Sequence, residues 1–107
     1  MTVDKLEELF EAQKAMQDML NIKYDQEYRE KMILASIDEL MEMLRETPWK
    51  PWKKHQKYNK KNYKKELIDL WHFVINLSLD AGFTPKSLLS NFKIKNSINK
   101  LRQKDGY

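Results

Sequence analysis

The run from Glu66 to Leu77, ELIDLWHFVINL, constrains this chain more than any other segment. Its apolar residues fall nearly all round a helix, the pattern of a helix set at the centre of a bundle. Yet Glu66, Asp69 and His72 lie inside it. A charge buried among apolar groups is costly unless it is paired or coordinated. The fold must therefore enclose this helix and give its acids a partner.

The rest of the chain agrees with an all-α fold. Two Gly and three Pro among 107 residues leave little room for the turns of a β-sandwich. With 41% hydrophobic residues the chain is too apolar for disorder. Residues 1–107 make one domain, which excludes separate cofactor and substrate lobes. There is no Cys, so no disulfide framework, thiolate metal site or thiol nucleophile. No stretch approaches the ~20 apolar residues of a membrane span. The opening MTVDKLEELFEAQ carries acids where a signal peptide is apolar. The expectation is a soluble cytoplasmic protein with no membrane partner.

Periodicity predicts four helices. The first runs from Val3 to about Leu20, capped by Thr2, with Leu6, Leu9, Phe10, Gln13, Met16, Gln17 and Leu20 on one stripe. Gln13 and Gln17 are expected at the edge of that stripe or against a ligand, because buried amides need partners. The second runs from about Glu27 to Arg45, with a stripe of Met32, Ile33, Ile37, Leu40, Met41 and Leu44. Pro48 and Pro51 forbid its regular continuation. The third spans about Asn62 to Leu79 and ends at Gly82. Thr84 and Pro85, as N-cap and first helical residue, open a fourth that reaches about Lys104.

Charge is unevenly spread. Eight of the 20 Lys and Arg fall between Thr47 and Lys65, a segment without an acid. The rest carries 12 basic groups against all 16 acidic ones. Such a basic segment suits a polyphosphate or a nucleic acid, and equally a solvated surface loop.

The chemistry-bearing pattern is a double pair of acids. Glu39 and Glu42 are three apart on the second helix, Glu66 and Asp69 three apart on the third. Residues at that spacing share a helix face. Four carboxylates on two packed helices need cations to stay ionised, and hard oxygen ligands suit Mg²⁺ or Mn²⁺. The C-terminal residues Lys95, Asn96, Asn99, Arg102 and Gln103 form a polar face of donors, with Arg offering a fork for phosphate oxygens.

Glu39-x-x-Glu42 followed by Glu66-x-x-Asp69 resembles the ExxE…ExxD signature of the all-α nucleoside triphosphate pyrophosphatases, the MazG-like superfamily. More narrowly, the chain is similar to the dimeric dUTPases, in a compact form of the kind found in phages. That likeness also uses Gln17-x-x-Leu20-Asn21, Trp49-Lys50-Pro51-Trp52-Lys53, Asp69-x-x-His72-Phe73 and the final run from Lys95 to Tyr107.

The resemblance implies a helical-bundle homodimer that hydrolyses dUTP to dUMP and pyrophosphate. It implies that Glu39, Glu42, Glu66 and Asp69 hold two or more Mg²⁺ ions, with Mn²⁺ as a substitute, and that Glu39 orients or deprotonates the attacking water. It places Lys53, Lys95, Asn96, Asn99, Arg102, Gln103 and Tyr107 on the substrate, and Gln17, Asn21, Trp52 and His72 at the base. Trp49 stands as an alternative to Trp52. The resemblance also makes host cytoplasm the setting if the gene is phage-borne.

The chain departs from the family in one respect. Only Asp80 to Lys86 separates the last two helices, where the family carries a longer lobe that closes over the nucleotide. Substrate strictness is therefore open, with dUDP, dCTP and other pyrimidine nucleotides in range. The competing readings are a pyrophosphatase for another nucleoside triphosphate, a family member that only binds or regulates, and a small basic nucleic-acid-binding domain. The last leaves the acids on the apolar helices unexplained, so a nucleic-acid partner is disfavoured.

Overall fold

The computed structural model describes residues 4–106, and four helices with no strand make up the described fold. Helix α1, Lys5–Met19, starts at Asp4, whose carboxylate accepts the Glu7 N–H at 3.0 Å. The sequence expected the cap at Thr2, which lies outside the described residues. Helix α1 ends in a left-handed residue, Asn21 (φ 54°), with Ile22 N–H bonding Gln17 O and Asn21 N–H bonding Asp18 O. That pairing satisfies carbonyls which the helix end would otherwise strand.

Helix α2, Gln26–Arg45, is capped by Asp25, and α3, Lys60–Asp80, by Asn59. Gly82 (φ 82°) closes α3, as expected. Helix α4, Pro85–Lys104, opens on Thr84 with a reciprocal Ser87 contact, the predicted start. No helix among the described residues is long and apolar enough to cross a membrane.

Helices α2 and α3 lie antiparallel. Arg29, near the start of α2, meets Asp80 at the end of α3 through a forked pair of 2.8 and 3.0 Å. Met32 faces Asn76 at 3.7 Å, and Glu39 faces Glu66. Helix α1 crosses α3, with Gln13 against His72. Helix α4 makes its main contact with α1 and is exposed from Leu89 to Gly106. The Cα radius of gyration is 17.4 Å, against ~13 Å for a 100-residue globule, because α4 stands off the other three helices.

Burial departs from the expected stripes. Among the described residues only Phe10, Met43 and Ile75 are buried hydrophobics. Leu9 and Met16 on α1, Ile33, Ile37, Leu40 and Met41 on α2, and Ile68, Trp71 and Val74 on α3 all face outward. So α3 touches both neighbours yet leaves one apolar face bare. The buried positions on α1 include Gln13 and Gln17, which corrects their placing at the stripe's edge. Their amides are compensated: Gln13 Oε1 lies 2.7 Å from His72 Nδ1, and Gln17 Oε1 accepts from the Tyr28 hydroxyl at 2.6 Å.

Candidate catalytic site

Regular helical geometry brings the carboxylates together. Glu39 and Glu42 are neighbours on α2, Glu66 faces them from α3, and one oxygen from each lies within 4.8 Å of the others. Glu39 is only 6% exposed, while Glu42 and Glu66 are half-buried. Glu39 Oε1 is enclosed and has no hydrogen-bond partner. Asp69 is exposed and outside this close group, but its charge still reaches Glu39.

Crowding sets the proton affinities. Burial, the hydrogen bond to Glu66 and the charges of Glu42, Glu66 and Asp69 push the Glu39 carboxyl up to about 8. Glu42 is raised as well, chiefly by its hydrogen bond with Glu66. Glu66 is lowered, because Glu39 and Glu42 donate to it. Without a cation the cluster thus shares protons, with Glu66 as the anionic member. Three carboxylates, one with an enclosed orphan oxygen, make a donor set that fits a hard divalent cation.

The other expected residues are spread around this centre. His72 follows Asp69 by one turn and lines a cavity of about 290 Å³ with Leu9, Ala12, Gln13, Ile68, Trp71 and Ile75. Gln17 is buried against Tyr28. Asn21 is exposed and shapes the end of α1. Trp52 is exposed and packs edge-on to Trp49, ring centres 5.7 Å apart. Lys53 is exposed in the loop between α2 and α3. Lys95, Asn96, Asn99, Arg102 and Gln103 are exposed on α4, and one chain does not bring them to the carboxylates. Tyr107 lies outside the described residues.

Three polar residues escaped the sequence reading. Tyr28 holds Gln17. Asn76 is 4% exposed and keeps an unpartnered Oδ1. Its spacing of seven from Asp69 and four from His72 was the available signal, since those offsets share a face. Gln56 braces the basic loop by accepting the Lys50 N–H at 3.0 Å and donating to the carbonyls of Lys50 and Lys53.

A family model described as dUTPase matches residues 5–86, from α1 into the first turn of α4. Comparison with curated proteins and with solved structures finds no match.

Proposed function

The chain belongs to the dUTPase family, and from that premise we propose that it hydrolyses dUTP to dUMP and pyrophosphate at the Glu39, Glu42 and Glu66 centre. The observation that carries this reading is the enclosed, unpartnered Glu39 oxygen inside a cluster of three acids. Glu39, Glu42, Glu66 and Asp69 would hold Mg²⁺, with Mn²⁺ able to replace it. When bound, the ion supplies positive charge to the phosphates and raises the acidity of a neighbouring water.

The chain's own residues do the remainder. Glu39 is the most enclosed acid of the cluster, so it is the carboxylate proposed to orient the attacking water and take up the proton that this water loses. Glu66 faces Glu39 and Glu42 from α3 and completes the carboxylate group that would hold the ion. Gln17, Asn21, Trp52 and His72 are proposed at the base, where an amide can both donate and accept and an indole can stack.

We further read the working form as a homodimer. Ile37, Leu40 and Trp71 are each at least half exposed, and together with Ile33 and Ile68 they form apolar surface on α2 and α3. Large apolar patches of this kind mark association surfaces. A second copy also offers a route by which the donors on α4 could approach the phosphates.

The test is metal reconstitution. Protein treated with EDTA is expected to be inactive on dUTP and to recover with Mg²⁺ or Mn²⁺. Glu66→Gln is expected to need at least about 10–100-fold more metal, the loss seen even for residues that only support ligands. Full activity in EDTA would overturn the proposed centre.

A further inference from the structure

A single contact between α1 and α3 fixes which nitrogen of His72 carries the proton. Gln13 on α1 is 8% exposed, and its Oε1 lies 2.7 Å from Nδ1 of His72 on α3. An amide oxygen only accepts, so the imidazole must donate from Nδ1. In the neutral ring the other nitrogen, Nε2, is then a bare acceptor. It has no hydrogen-bond partner among the described residues.

The contact is held from both sides. A buried amide oxygen left without a partner is costly, and His72 is the partner of Gln13 Oε1. Gln13 precedes Gln17 by one turn on the inner face of α1, and Gln17 is held in turn by Tyr28. Gln13 and His72 also line the same cavity of about 290 Å³, near the ~300 Å³ lower end of ligand pockets. Leu9, Ile68 and Ile75 make much of its wall apolar, and the Trp71 indole adds an aromatic face. In apolar surroundings a donor or acceptor that finds no complement is expensive, so one ring nitrogen can decide which base is tolerated.

Pyrimidine bases differ at the matching position. Uracil carries a hydrogen on N3, between two carbonyl oxygens. Cytosine has a bare N3 beside its amino group. A nitrogen that only accepts pairs with uracil N3–H, and meets cytosine N3 lone pair against lone pair.

We propose that Gln13 is a positioning residue that holds His72 in its Nδ1–H form, and that His72 Nε2 thereby selects uracil over cytosine. The selection rests on the proposed placing of the base at His72, while the proton's position rests on the Gln13 contact alone. Gln13 acts through the imidazole and takes no part in the reaction itself.

Two measurements on the full chain test this, and neither requires hydrolysis. The first is the ¹⁵N spectrum of the imidazole rings at about pH 8, above the ordinary histidine range. The chain has two histidines, and His55→Gln identifies the signals of the other. Wild-type His72 is expected in the Nδ1–H form. Gln13→Met keeps the length of the side chain and loses the amide, so His72 is expected to move its proton largely to Nε2. The second is calorimetric titration with dUMP and with dCMP. The wild type is expected to bind dUMP at least about tenfold more tightly, the effect of one mismatched polar group. Gln13→Met, checked for fold by circular dichroism, is expected to lose most of that preference.

An Nε2–H form in the wild type would overturn the proposal whatever the variant does. So would equal binding of the two nucleotides by the wild type, or no binding of either. An unchanged preference in folded Gln13→Met would overturn it as well. If dUMP binds without moving the His72 signals, the base lies elsewhere and the selection falls, while the hydrolytic reading is untouched. If the preference behaves as expected but dUTP is not hydrolysed, the role of Gln13 stands and the catalytic reading falls.

Discussion

Glu39→Gln is expected to lower the rate of dUTP hydrolysis by about 10²–10⁴-fold, the range for loss of a positioned acid or base. The same change is expected to make the metal-free protein more stable at alkaline pH. Both effects come from one environment. The Glu39 carboxyl is nearly enclosed and crowded by Glu42, Glu66 and Asp69, which pushes its proton affinity from 4.5 up to about 8.

A group whose affinity is raised on folding gives stability that is complete below its unfolded value and is lost as pH rises through its folded value. Metal-free wild-type protein should therefore lose stability between about pH 4.5 and about pH 8. Glutamine keeps the shape of the protonated acid and cannot ionise, so most of that loss should vanish. Thermal melting in EDTA across this pH range reads the second effect, and a steady-state assay reads the first. A variant as active as the wild type would remove Glu39 from the mechanism. An unchanged pH profile of melting would remove it as the strained acid.

The second large effect concerns the bare apolar face. Leu40→Arg is expected to separate the proposed homodimer, with a penalty on the order of 2–5 kcal/mol, as for a charge left unpaired in an interface. That corresponds to roughly a 30- to 4,000-fold weaker association. Leu40 is 50% exposed in the single chain and belongs to the outward stripe of Ile33, Ile37 and Met41. Light scattering should show the mass fall by half. Hydrolysis should fall with it, because the α4 donors are proposed to act from the second copy. A variant that stays dimeric would move the interface elsewhere.

Much of this was legible in the residues. Thr84, Pro85 and Gly82 marked boundaries that the structure keeps, because caps and left-handed residues obey local rules. The spacing of Glu39, Glu42 and Glu66 was enough to put three acids on facing helices, since that depends only on helical period and one antiparallel contact. The direction of the apolar stripes was not legible. Periodicity finds a face but does not say whether the same chain or another covers it. Hence Gln13 and Gln17 sit inside while Leu9 and Met16 face out. Their partners, His72 and Tyr28, are 59 and 11 residues away, so the compensation for burying an amide could only be seen in three dimensions.

The most direct measurement is pyrophosphate release by the purified protein from dUTP, dCTP, dTTP, UTP and ATP, with and without Mg²⁺. The account predicts release that requires Mg²⁺ and runs fastest on dUTP. Release from several triphosphates alike would keep the carboxylate centre and discard the base contacts at Gln17, Asn21, Trp52 and His72. No release from any of them would contradict the central claim.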